Sequence, residues 1–160
     1  MPTSSARSRF RSCGSCLGAA VIALLLLLAL PISVPLVNDA AARDIEKELL
    51  ALPVPKGAEV VESTSQAGKI VGNGNGMQYI GALLVRSDRG IGAVSGHYAT
   101  VSEDIALGVA VVASAGIERQ GFHGADGFLS RPRSGDDLYV AYAFGEGPGA
   151  FFESLDLRGR

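Results

Sequence analysis

The sequence predicts an α+β domain preceded by an N-terminal hydrophobic helix. The domain would hold an antiparallel sheet of about four or five strands with one or two helices covering a face. Three observations lead there. Residues 16–37, CLGAAVIALLLLLALPISVPLV, form one apolar block without a charge. Beyond it, residues 58–64, 67–72, 77–87, 105–114 and 137–147 are β-branched or alternating runs separated by turn formers, the pattern of short strands. Residues 38–53 and 87–101 instead carry apolar positions at helical spacing, one before the strands and one among them.

The hydrophobic helix comes first. Residues 1–16, MPTSSARSRFRSCGSC, contain Arg7, Arg9 and Arg11 and no acid. A basic flank followed by an apolar run is read by the secretion machinery. The positive-inside rule then leaves the N-terminus in the cytoplasm and the remainder outside. Residues 17–37 would reach about 30 Å as a helix, enough for a hydrocarbon core, although Pro31 and Pro35 weaken the last third. The leading expectation is a retained single-pass anchor in the cell membrane. The alternative is secretion after cleavage near Ala42, where Ala40 and Ala42 form a small-x-small site. Cys13 and Cys16 precede the apolar run, so neither is a lipoprotein acylation site. Their C-x-x-C spacing lacks a second ligand pair and reads as two incidental thiols. The expected organisation is a cytoplasmic basic segment and signal-anchor or signal peptide (1–37), a helix with a proline-containing linker (38–56) and an extracytoplasmic α+β domain (57–160).

Charge and cysteine bound the function. All 16 acidic residues but only 11 of the 14 basic ones lie after residue 37, giving that part a net charge of −5. An acidic domain lacks the basic patch that a nucleic-acid partner requires. It has no cysteine either, so its own core must hold it without disulfides. Two histidines and no cysteine make no zinc ligand set.

The elements follow in order. In NDAAARDIEKELLALP (38–53), Asn38 or Asp39 caps a helix, Asp44 and Glu46 occupy its first turns, and Ile45, Leu49 and Leu52 make its apolar stripe. Pro53 and Pro55 end it, and it either stands as a stalk or packs along the domain. AEVVEST (58–64) and AGKIVG (67–72) read as two short strands. Residues 77–87 are apolar on both faces, with Met77, Tyr79, Leu83 and Val85 on one side and Ile80, Ala82 and Leu84 on the other, so they form a central strand. Residues 87–101 place Ile91, Val94 and Tyr98 at helical spacing behind Asp88 as N-cap, despite Gly90, Gly92 and Gly96, each costing about 1 kcal/mol against alanine. IALGVAVVAS (105–114) is a buried strand. Residues 120–137 are turn-rich, with room for a short strand around Phe122 or Phe128. Residues 137–147 alternate, with Leu138, Val140, Tyr142 and Phe144 on one face. The last residues form a helical turn after Pro148 or a final edge strand.

GNGNGMQY (72–79) is the stretch most like a functional motif. In G-x-G-x-x-G the third glycine would fall on Met77 or Tyr79, so the dinucleotide pattern fails, and no Lys-Ser or Lys-Thr follows for a phosphate loop. Asn-Gly twice in succession between two strand-like runs is instead a hairpin turn. Ser130, His123 and Asp126 can be nominated as a triad, but no nucleophile elbow surrounds them. Asp136, Asp137 and Glu146 do not follow calcium-loop spacing and read as solvated. Arg131 and Arg133 flank Pro132 in an exposed turn, and Tyr139, Tyr142, Phe144, Phe151 and Phe152 read as core. No catalytic residue, metal site or cofactor is expected. The candidate binding residues are Asn73, Asn75 and Met77 at the first glycine-rich tip, and Asp156 and Arg158 in the tail. The competing reading of the last two is a clamp holding the C-terminus onto the sheet.

ALPVPKGAEVVES, AGKIVGNGNGMQYIGALLVRSD, HYA and YAFGEGPGAFFESLDLRGR together resemble small bacterial proteins of unknown function with an N-terminal signal-anchor and one exported α+β domain. The likeness covers most of residues 48–160, and its most specific pieces are GNGNGMQY and the terminal DLRG. It implies the topology and the fold, and no chemistry. The expected function is a non-catalytic, membrane-associated extracytoplasmic interaction module. The N-terminal helix would meet the membrane, and the domain would meet an envelope protein or wall component. One alternative is a small exported hydrolase using His97 or His123 as general base. Another is a small-ligand binder with an aromatic pocket near Tyr79 and Tyr142.

Overall fold

The computed structural model describes residues 12–71, 76–122, 124–146, 156 and 158, and the chain divides into two compact units, Met1–Ser33 and Val34–Arg160. Helix α1 (Ser12–Ala51) contributes to both. It passes through Pro31 and Pro35 without ending. Their spacing of four puts both missing N–H donors on one row of the helix and leaves the other rows of hydrogen bonds intact. From Leu17 to Leu28 its large apolar side chains are 49–70 % exposed. By length and composition it is long and apolar enough to cross a membrane.

The second unit contains the remainder of α1, then β1 (Ala58–Gly68), β2 (Gln78–Ser87), α2 (Ile91–Val101), β3 (Ala110–Ala113) and β4 (Leu138–Gly145), with 3₁₀ segments at Ser114–Gln120 and Gly127–Leu129. The sheet is antiparallel throughout, in the order β1-β2-β4-β3. β2 and β4 lie in its middle and are apolar on both faces, as central strands must be. The expected α+β architecture is therefore the one observed.

Both faces of the sheet are covered. On one, Ile80, Ala82 and Leu84 of β2 join Leu138, Val140 and Tyr142 of β4 beneath Ile117, Phe122, Phe128 and Leu129. On the other, Leu83 and Val85 meet Tyr139 and Ala141, roofed by Leu49 of α1 and by Val94 and Tyr98 of α2. The helix that followed the apolar block thus packs along the domain and is no free stalk. Gly81 makes its approach close: a Cβ there would stand 2.7 Å from the Glu46 backbone nitrogen. On the neighbouring strand, Ser63 and Ser65 donate hydrogen bonds of 2.5 and 2.6 Å to the Glu46 carboxylate.

Several local expectations are corrected by long-range pairing. Residues 58–64 and 67–72, read as two strands, are one strand to Gly68, because the polar Ser63, Ser65 and Gln66 face β2 partners in register and two of them bond Glu46. A register shift between Val60 and Glu62 skips Val61, which packs on one face of the sheet while Val60 packs on the other. The buried strand expected over 105–114 shrinks to a half-exposed edge strand, Ala110–Ala113, after Gly108 turns the chain at φ 65°. Phe122 and Phe128 lie in no strand. They are buried from turns and 3₁₀ structure, where Gly121 and Gly127 adopt positive φ. The residue at the N-cap of α2 is Gly90 and not Asp88, and no side chain caps the helix.

β1 and β2 are a hairpin, Gly68 opposite Gln78. The Asn-Gly turn expected within it, with Asn73 and Asn75, lies outside the described residues. At its base the Gln78 side-chain oxygen accepts hydrogen bonds from the Ile70 and Val71 amides at 2.9 and 2.7 Å.

Candidate functional site

Asp156 and Arg158 meet in three dimensions around Asn38. Asn38, read from sequence as a helix cap, sits inside α1 and is fully buried, as is Asp156 at 1 % exposure. The Asn38 amide donates to Asp156 at 2.8 Å, and its oxygen accepts from the Tyr79 hydroxyl at 3.0 Å. Arg158 donates to Asp156 through Nε at 3.0 Å and Nη2 at 2.8 Å, to Asp39 at 2.8 Å and to the Pro35 carbonyl at 3.1 Å. The Arg158 carbonyl accepts from the Lys69 amide at 2.9 Å. These residues form a clamp, but it closes mainly on α1 and reaches the sheet through Tyr79 and the chain after β1.

Its electrostatics follow from the same bonds. Arg158 outweighs the desolvation that would otherwise raise the Asp156 carboxyl, and with help from Asn38 it lowers that pKa from 3.8 to about 2. The guanidinium is pushed further up in return, first by its bond to Asp156. Sequence reasoning named Asp156 and Arg158 but missed their role for Asn38 and Tyr79. The available signal was an asparagine placed directly after an apolar block.

The other candidates separate. Met77 is 2 % exposed and packs with Ala42, Ala67 and Tyr79, so it belongs to the core and not to an exposed tip. His97 Nε2 lies 2.7 Å from the Pro53 carbonyl and, in the tautomer carrying that proton, donates to it. His123 lies outside the described residues. Ser130 donates to the Gly127 carbonyl, while the Asp126 amide donates to Gln66. Tyr79 and Tyr142 occupy opposite faces of the sheet, so no one pocket contains both. On the Tyr142 face the Phe122 ring packs edge-on against Tyr142 at 5.3 Å.

Two buried hydroxyls, Tyr98 Oη and Ser114 Oγ, have no hydrogen-bond partner among the described residues. Burial also raises the Tyr98 pKa. Because Tyr98→Phe removes an unpaired polar atom and keeps the ring, thermal unfolding should show unchanged stability or a gain of up to about 1 kcal/mol. A loss beyond that would reveal a partner the hydroxyl needs.

A groove of about 260 Å³ runs between α1 and the loop ahead of β3. Ala41, Asp44, Ile45 and Glu48 form its helical wall, and Tyr79 with Ile105, Ala106 and Leu107 completes the lining. Among the described residues no group of three or more His, Cys, Asp or Glu is arranged to hold a metal. In comparisons with known proteins, no family model, no curated protein and no solved structure matches this chain.

Proposed function

We propose that this chain is a single-pass membrane protein whose C-terminal domain stands outside the cytoplasm as a non-catalytic interaction module for an envelope protein or wall component. The observation that carries the reading is α1, which leaves large apolar side chains from Leu17 to Leu28 at 49–70 % exposure behind Arg7, Arg9 and Arg11. Such a surface calls for a lipid environment, and the arginines orient it. The acidic, cysteine-free remainder suits a domain that folds after export on its core alone.

Retention of the leader is favoured over cleavage near Ala42. Ala42 is 1 % exposed against Met77 and Tyr79, and the domain already begins at Val34. Cutting there would remove Asn38, Asp39 and the Pro35 carbonyl from the clamp and leave Arg158 as the one side-chain donor to Asp156 that the clamp retains. The alternative hydrolase gains nothing from His97, whose Nε2 is engaged by the Pro53 carbonyl.

Topology is tested by fusing alkaline phosphatase or a fluorescent protein after Arg160. Phosphatase activity without fluorescence is expected, together with an intact mass that includes the leader. Fluorescence without phosphatase activity would place the domain in the cytoplasm and end the proposal. A mass beginning near residue 43 would end only the anchor.

A further inference from the structure

We infer that the groove between α1 and the loop ahead of β3 docks a short basic segment of a partner protein, with one apolar side chain inserted and its flanking cations on the acidic rim. The inference deepens the interaction-module reading and rests on it.

The geometry begins with spacing. Ala41, Asp44, Ile45 and Glu48 recur at i, i+3, i+4 and i+7, so they share one face of α1 over about 10 Å. That length matches about three residues of an extended peptide. The face alternates in chemistry, with exposed Ala41 and half-buried Ile45 interleaved with two carboxylates. Opposite stands Leu107, half-buried. A volume of about 260 Å³ lies below the range of roughly 300–1,000 Å³ usual for small-molecule sites. It suits one large side chain better than a cofactor.

Charge selects the occupant. Glu48 has no ion-pair partner among the described residues, and Asp44 has only Lys47, in a solvent-exposed pair of 2.7 Å whose side chains are 66 % and 72 % exposed. Exposed pairs of that kind hold their partners weakly. No lysine or arginine lines the groove among the described residues, and the whole exported part carries −5. An incoming lysine or arginine therefore meets one unpaired carboxylate, Glu48, and one held only by an exposed lysine, Asp44, beside an apolar slot, whereas an acidic segment is repelled.

The test uses the full chain in phosphatidylcholine nanodiscs, whose neutral surface does not attract cations. The probe is a fluorescent peptide with a Lys-Leu-Lys centre in Gly-Ser flanks. Counterparts carry Glu-Leu-Glu or Lys-Ser-Lys. Saturable anisotropy is expected for Lys-Leu-Lys above empty nanodiscs, weakening with salt. The affinity should fall by about tenfold or more for Glu48→Lys, a surface change whose fold is checked by circular dichroism, and for the leucine-to-serine peptide. No saturable binding, equal binding of Glu-Leu-Glu, or indifference to Glu48→Lys would overturn the proposal. In cells, photocrosslinkers at position 107 beside the groove and at exposed Glu118, in the 3₁₀ segment that covers the other face of the sheet, separate the two readings. A partner caught at 118 alone sinks the groove and spares the module, and one caught at neither position sinks the groove as well.

Discussion

Arg158→Ala is expected to lower the stability of the Val34–Arg160 unit by about 3 kcal/mol, the lower end of the cost of breaking a buried ion pair. Arg158 is itself 40 % exposed, which moderates the loss, but Asp156 is not. Without the guanidinium, a carboxylate at 1 % exposure keeps only the Asn38 amide as a side-chain donor. Arg158→Lys should recover little, since one ammonium cannot reproduce the two-pronged contact with Asp156 while also reaching Asp39 and the Pro35 carbonyl. Urea denaturation of the full chain in detergent micelles gives the readout. Equal midpoints for wild type and Arg158→Ala would mean that the clamp holds nothing.

The same clamp predicts a pH dependence. The Asp156 pKa lies at about 2 in the folded chain against an ordinary 3.8. A carboxylate depressed on folding contributes stability that is complete above about pH 4. That contribution, about 2 kcal/mol, disappears as the pH falls toward 2. Asp156→Asn should flatten this acid limb and cost stability at neutral pH. An unchanged acid limb would assign it to other groups.

The second large effect is expected at Gly81. Valine there would drive its Cβ into the backbone of α1, 2.7 Å from the Glu46 nitrogen and 2.9 Å from the Ile45 side chain. Neither can yield without lifting the helix from β2, so the overpacking cost should reach about 3 kcal/mol, the upper part of the usual range. The lift also separates Glu46 from Ser63 and Ser65. Hydrogen exchange should show lost protection in residues 34–51 and along β1 and β2. Gly96 is the control, because a Cβ there meets nothing within 4 Å. Gly96→Ala should leave stability unchanged or raise it by up to about 1 kcal/mol through helix propensity. Equal effects at the two glycines would refute the close approach.

β4 and β2 were legible because alternation and two-sided burial are written residue by residue, and their predicted faces are those observed. α2 was legible despite its glycines, since Val94 and Tyr98 suffice to bury one stripe. β1 was misjudged because its Ser-Thr-Ser-Gln centre resembles a turn until Glu46 and the β2 ladder supply partners. Phe122 and Phe128 were misjudged because a core-filling aromatic needs no regular backbone, only a chain that turns inward.

Residue order alone therefore established the apolar N-terminal block, the charge division, the central strands and the α+β class, since all are read from composition or from patterns repeating over a few positions. Tertiary structure decided that α1 packs on the sheet, that Asn38 meets Asp156 across 118 positions, and that an acidic-rimmed groove opens beside Tyr79. Those outcomes depend on which surfaces approach when the sheet closes, and no local periodicity encodes a partner more than a hundred residues away.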